Sequence, residues 1–369
     1  MKPIVPLFLA GLFSMTACSQ KLKPEAAHQV TFINLDDKRH DVRTIEIQLK
    51  IIYCNTWYDQ DPSLKDHFIP FVRNLNKGPD STLFVFDFMN TRIVQLSCEG
   101  KYMRSIGGPG KGPGEFFDAS EHTFQTNQYL YIADNSGLRL QLFDRNGRYV
   151  RGINNARADG GRFAVSDYGN IITKPSDADD PEMKYMLFME DSLGNGIRKI
   201  GAIAKDDDFA VKKIRANFKD REPYQIVAGP GHEFIFCFFM FYPKIWIYDY
   251  TGLWVEEILF ESEAIRKARM ESKKYLKDKK ANFGGLLFFR DPILLQNGDV
   301  LVTLATQGAI RLARKAGKTA MVNKYNITRS DSSEASKALQ YVQLKPIGTL
   351  WFAYDIDSIF KMEYHGLNN

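Results

Sequence analysis

Along most of this chain apolar and polar positions alternate in short runs separated by glycine turns, the period of half-buried β-strands. One such unit is written twice. Leu83-Phe84-Val85-Phe86-Asp87, followed by Arg92 to Tyr102, aligns without a gap with Leu130-Tyr131-Ile132-Ala133-Asp134, followed by Arg139 to Tyr149, at a constant offset of 47 residues. A period of that size, made of short strands and glycine turns, predicts a propeller blade of four antiparallel strands.

Two punctuation series extend the register. Gly100, Gly147, Gly194, Gly252, Gly317 and Gly366 mark six turns before an outer strand. Gly169, Gly298 and Gly348 mark turns between an inner and a second strand. Together they predict an all-β chain, a six-bladed β-propeller over residues 30–369. After Gly366 only Leu367, Asn368 and Asn369 remain, so the sixth blade lacks an outer strand of its own and would expose an edge. Near the other end Ile45, Ile47, Leu49 and Ile51 alternate with Glu46, Gln48 and Lys50. That strand is predicted to complete the sixth blade and close the ring, with a shorter strand, Val30 to Leu35, beside it. Two insertions lengthen the period. Residues 205–222 are rich in charge, and 262–282 opens on a capping serine, Ser262, and predicts one inserted helix whose apolar stripe is only Ile265, Ala268, Tyr275 and Leu276.

Residues 1–17 carry one positive charge, Lys2, then an apolar run from Ile4 to Phe13 broken by Pro6 and Gly11, then small residues before Cys18. This pattern predicts a secretory signal too short to span a membrane. Met15-Thr16-Ala17-Cys18 resembles a bacterial lipobox, which implies that Cys18 takes a diacylglycerol thioether and becomes the acylated first residue; the other reading is an ordinary secreted protein. Several acyl chains, at roughly 0.8 kcal/mol per buried methylene, anchor stably without a transmembrane helix. Residues 18–29 then serve as a tether. Ser19 in place of an aspartate implies the outer membrane, and Lys21 and Lys23 favour its periplasmic side over the cell surface.

Asp87, Asn90 and Arg92, and again Asp134 and Arg139 ahead of Leu140 to Phe143, resemble the NHL repeat. With the loop Gly107 to Phe116 and the lipobox, the chain is similar to the TolB-like six-bladed propeller lipoproteins of Bacteroidetes type. That resemblance implies fold and location, and little about chemistry. Each Asp and Arg flank one turn at equivalent blade positions. The structural expectation is that they pair to support the blade edge; the functional one is that they bind a ligand.

The chain is 44% hydrophobic, enough for a large core, and carries a net charge of +5. Residues 262–282 hold eight Lys or Arg against Glu263, Glu271 and Asp278, so one segment accounts for the basic balance. Its readings are a solvated helix face or a contact with lipid phosphates or an acidic partner. The compartment and the lack of aromatic-basic interleaving argue against nucleic acid. Cys54, Cys98 and Cys237 remain after the anchor, an odd number without metal-site spacing. The Gly107 to Phe116 loop does not read as a phosphate loop, since Gly112 follows Lys111 where Ser or Thr would hold magnesium, and Pro109 and Pro113 remove amide donors.

Propellers hold ligands in the central channel, and the inner strands bring Arg73, Glu115, His122, Arg162, Tyr224, Arg290, Asp291 and Lys345 to the lumen or its mouth. That set suits an anionic small molecule or a protein partner better than a divalent cation, so no cofactor or metal is expected. A single slip of register would turn each of these side chains away. The function expected is binding or scaffolding by a monomeric, membrane-anchored ring without catalytic residues. The alternative is a metal-dependent propeller hydrolase or lyase, lactonase-like, with Asp291, His122 and Glu115 as its only evident candidates.

Overall fold

The computed structural model describes residues 29–36, 42–54, 67–70, 72, 75–87, 89–117, 119–134, 139–154, 163–166, 168–173, 185–202, 224–227, 234–239, 243–263, 265–267, 270, 289–295, 297–304, 308–315, 317–329, 343–347, 350–354 and 358–363. An N-terminal arm contributes β1 (Gln29–Asn34) and β2 (Arg43–Cys54). Six antiparallel units follow. Blade one is β3 (Leu75–Lys77), β4 (Leu83–Asp87), β5 (Arg92–Leu96) and β6 (Tyr102–Ile106). Blade two is β7 (Ala119–Gln125), β8 (Tyr129–Asp134), β9 (Arg139–Asp144) and β10 (Tyr149–Asn154). Blade three is β11 (Phe163–Val165), β12 (Ile171–Thr173), β13 (Tyr185–Glu190) and β14 (Gly196–Ala202). Blade four is β15 (Tyr224–Val227), β16 (Phe234–Phe239), β17 (Lys244–Asp249) and β18 (Trp254–Glu261). Blade five is β19 (Phe289–Leu294), β20 (Val300–Leu304), β21 (Gly308–Lys315) and β22 (Lys318–Arg329). Among the described residues blade six draws β23 (Gln343–Ile347), β24 (Leu350–Tyr354) and β25 (Ser358–Glu363) from its own stretch.

The arm supplies what is missing. The second half of β2 pairs antiparallel with β25, from Gln48 opposite Glu363 to Cys54 opposite Ser358, and so becomes the outer strand of blade six. Its first half runs parallel to β22, from Arg43 opposite Asn323 to Leu49 opposite Arg329. One strand thus welds blades five and six into a single eight-stranded sheet, which is why six blades form five sheets. The short strand predicted beside β2 lies elsewhere: β1 runs parallel to β18 as a fifth strand of blade four, Val30 opposite Glu257 and Ile33 opposite Phe260. The reason is the core, since Ile33 and Leu35 pack into the cluster of blades four and five.

The innermost strands touch one another in turn, β7 with β11, β11 with β15, β15 with β19, β19 with β23 and β23 with β3. The circle is completed where Asn76 Nδ2 on β3 donates to Thr123 Oγ1 on β7 at 2.8 Å. Between successive blades the core lies in separate layers, and this explains why second and third strands read as continuous apolar runs. On β4, Leu83 and Val85 face blade six while Phe84 and Phe86 face blade two. On β8, Leu130 and Ile132 face back to blade one while Tyr131 and Ala133 face blade three. Alternation persists, but both faces are buried. Each fully buried large side chain contributes about 1.5–3 kcal/mol relative to exposure.

Turn glycines lock neighbouring blades together. Gly100, Gly147, Gly194, Gly252 and Gly317 all sit at positive φ between third and outer strands, and Gly169 and Gly298 do so between first and second; Gly348 and Gly366 lie outside the described residues. Gly147 abuts Ile106 of the preceding blade's outer strand and Gly252 abuts Ile200. By the same relation a Cβ on Gly100 would stand 2.0 Å from the carbonyl oxygen of Ile52, so β2 occupies the outer-strand position preceding blade one. Ser262 caps the inserted helix, its Oγ accepting from Ile265 N at 3.0 Å, with helical residues at 263, 265–267 and 270. Residues 271–282 of that insertion and the whole 205–222 insertion lie outside the described residues.

Gly100 and Gly317 provide a matched pair, with φ of 79° and 78°. Nothing lies within 4 Å of a Cβ built on Gly317. Gly317→Ala should cost about 1 kcal/mol of unfolding free energy from backbone strain alone, and Gly100→Ala about 2–4 kcal/mol because the closing strand must also shift. Urea denaturation of the two variants side by side checks the difference.

Candidate functional site: the channel wall and its rim

Of the residues predicted for the channel, His122 lies on β7, Tyr224 opens β15, Arg290 and Asp291 lie on β19 and Lys345 lies on β23. All five belong to innermost strands, drawn from four blades. The strand of Arg290 and Asp291 carries an irregularity, its register shifting between Arg290 and Ile293. Arg73 and Arg162 lie outside the described residues. Glu115 lies on the linker from β6 to β7, with its carboxylate turned into that linker: Oε2 accepts from Gly112 N at 2.8 Å.

The described channel wall between blades one and two is built from polar side chains that substitute for strand pairing. Gln125 Oε1 accepts from Lys77 N at 2.7 Å, and its Nε2 donates to Lys77 O at 2.5 Å. Next to it Asn76 is 1% exposed, and while its Nδ2 is held by Thr123, its Oδ1 has no hydrogen-bond partner among the described residues. A buried amide oxygen left in this state accepts readily from a donor that reaches it, because its desolvation is otherwise uncompensated.

At the rim the two Asp and Arg pairs are structural. Asp87, fully buried, accepts from Asn90 N, Asn90 Nδ2 and Arg92 Nε, and Arg92 Nη2 donates to Phe68 O in the linker that enters blade one. Asp134 accepts from both Nε and Nη2 of Arg139, which donates onward to the carbonyls of Lys111 and Glu115. Each aspartate orients an arginine and the arginine clamps the incoming linker. The glycine-rich loop is likewise internally satisfied: Gly110 N and Phe116 N bond within it, and Gly114 N donates to Gln141 Oε1. Those amides are committed and leave no cradle for phosphate. An open groove of about 390 Å³ lies on the other rim of blade two, lined by Asn127, Gln128, Tyr129, Asp144, Arg145 and Asn146. Its charged groups are engaged too, since Asp144 Oδ1 accepts from Asn146 N and Arg148 N, and Arg145 donates to the Asn127 carbonyl.

Sequence reasoning passed over a set of seam residues that the 47-residue period already contained. Arg104, Arg151 and Arg198 each stand four residues after a turn glycine, and each reaches the next blade's turn, donating to the carbonyls of Asn146, Ser192 and Tyr250. In blade four the equivalent position is Glu256, and the seam is inverted. Its carboxylate, fully buried, accepts from Arg314, from Thr319 N and Oγ1, and from Thr31 Oγ1 of the arm. The turns themselves are capped by a second series, Asp144, Asp191 and Asp249, with Ser97 in their place in blade one.

Among the described residues no group of three or more His, Cys, Asp or Glu is arranged to hold a metal ion. Cys54 and Cys98 are half-buried and Cys237 is buried, its pKa pushed up by burial. No described helix is long and apolar enough to cross a membrane.

Comparison with known proteins follows the fold. The family described as 6-bladed beta-propeller matches residues 73–274. No curated protein matches the chain in sequence. Among solved structures, a protein of Bacteroides fragilis described as exported aligns over 92% of this chain and 100% of its own, at 12% identity and a TM-score of 0.53. The virginiamycin B lyase of Staphylococcus aureus aligns over 79% of this chain and 80% of its own, at 9% identity and a TM-score of 0.44. A gluconolactonase of Xanthomonas campestris aligns over 86% and 89%, at 10% identity and a TM-score of 0.45. At those values neither enzyme's activity transfers to this chain.

Two measurements test the two rims. Asp134→Ala removes the buried partner of Arg139 and should lower unfolding free energy by about 3 kcal/mol, whereas an Asp134→Leu, Arg139→Met double variant should lose less; urea denaturation reads both. At Asp191 the Asn195 side chain, and then the amides of Asn195, Leu193 and Gly194, hold the carboxyl below its ordinary value of 3.8. A depressed folded pKa means the contribution is present above the unfolded value and lost as pH falls through the folded one. The stability difference between the parent and Asp191→Asn should therefore shrink as pH drops below about 4, as followed by thermal melts across an acid series.

Proposed function

This chain belongs to the 6-bladed beta-propeller family, and from that premise we propose that it is an envelope lipoprotein, acylated at Cys18, whose monomeric ring is a rigid binding or scaffolding module. The observation that carries this reading is the arm. Eleven residues after Cys18 the chain enters β1, and within one further strand it has been sewn into blades four, five and six. An anchor at Cys18 therefore holds the whole ring, within about 40 Å of the bilayer when the tether is fully extended.

The resemblance to TolB-like lipoproteins with NHL-like repeats supports the same reading, and Ser19, Lys21 and Lys23 support an outer-membrane, periplasm-facing position. The rim charges described above are spent on joining linkers to blades, as a scaffold requires. His122, Tyr224, Arg290, Asp291 and Lys345 belong to innermost strands of four blades, and a channel set holding Arg290 and Lys345 favours an anionic small molecule or an acidic segment of a protein partner.

The test is localisation. In cells, the parent should fractionate with membranes and carry a diacylglycerol-modified Cys18 peptide by mass spectrometry, and Cys18→Ser should move the folded protein to the soluble fraction. A parent that is soluble and unmodified would overturn the reading.

A further inference from the structure

We infer that β1 and the start of the helix after β18 form a membrane-docking face that lays blade four against anionic lipid headgroups, an inference that rests on the lipid-anchored reading above. Among the described residues β1 is the outermost strand of its blade, with Thr31 and Ile33 buried and Val30, Phe32 and Asn34 exposed. Phe32 is 66% exposed and Val30 42%. Beyond β18 the helix buries Ile265 and exposes Arg266, Lys267 and Met270, the last at 74%.

Strand and helix form one surface. Leu35 N donates to Glu261 O at 2.8 Å, Glu263 N donates to Asp36 Oδ2 at 2.7 Å, and Lys324 Nζ donates to Leu35 O at 3.1 Å. The edge of this blade thus carries exposed apolar side chains on β1 and exposed Arg266 and Lys267 on the helix, with Asp36, Glu261 and Glu263 exposed where the two join. An edge strand showing a phenylalanine is an aggregation hazard unless something covers it.

Two features make lipid the occupant. β1 begins eleven residues after the anchor position, so a lipid at Cys18 raises its local concentration at the bilayer. The sequence that opens with this helix concentrates the chain's cations, eight Lys or Arg against three carboxylates over 262–282, which complements anionic headgroups. The combination of inserted aromatic and aliphatic groups with flanking cations is the chemistry of an interfacial contact.

The test uses the full chain carrying Cys18→Ser, so that no acyl chain contributes. It should sediment with vesicles of mixed phosphatidylglycerol and phosphatidylcholine in low salt, and bind weakly to phosphatidylcholine alone or in high salt. Arg266→Ala with Lys267→Ala should weaken vesicle binding about 25-fold, roughly fivefold per cation, and Phe32→Ser about tenfold, with thermal melts unchanged. Variants that bind as tightly as their parent, or equal binding to neutral vesicles, would overturn the proposal. So would a concentration-dependent dimer that Phe32→Ser abolishes, since the face would then belong to a second copy. The two readings fail separately: acylated Cys18 without vesicle binding removes the docking face alone, and vesicle binding without acylation removes the anchor alone.

Discussion

The antiparallel pairing of β2 with β25 is the constraint on which the rest depends. A propeller has no global core. Its apolar layers lie between neighbouring blades, and every layer needs a blade on both sides. The described residues of blade six's own stretch form three strands, and the arm covers both the outer edge of β25 and the layer against blade one. β2 does both at once, completing the blade with its second half and padding β22 with its first. The close approach of Gly100 to Ile52 is the steric record of that closure. It joins residues from opposite ends of the propeller, and such non-local pairing must overcome the loop-closure entropy of the intervening chain.

The seams show one geometric solution carried by opposite chemistries. In the first three blades an exposed-end arginine reaches over to a carbonyl, a contact that keeps the charge partly solvated. At Glu256 the charge is buried and needs many partners, and it finds them in Arg314, Thr319 and, through Thr31, the arm itself. This is the one described seam over which a fifth strand lies. Covering an outer strand removes water from its side chains, so a group that depends on solvent gives way to one satisfied by protein donors.

Much of this was legible in the chain. The offset between Leu83 and Leu130 announced the blade, the turn glycines located its punctuation, and the surplus strand around Ile47 announced the closure. The equivalent offsets of Arg104, Arg151 and Arg198 were equally present but silent, because an arginine on a half-exposed strand looks the same whether it meets water or a neighbour's carbonyl. The short strand at Val30 to Leu35 was expected beside β2 and lies instead on β18. Strand alternation says that Ile33 must be buried, and says nothing of where.

By itself, then, the sequence determined the strand pattern, the number of blades and the need for an N-terminal strand to finish the last one, since all of these follow from local periodicity and repetition. Tertiary structure alone decided which edge β1 would cover, which carbonyls the seam arginines would reach, that Glu115 would turn into its own loop, and that Asn76 would bury at the channel wall an oxygen unpaired among the described residues. Those outcomes depend on how twisted sheets meet across a seam. That is a property of neighbouring blades in space, and no local pattern of polar and apolar residues encodes it.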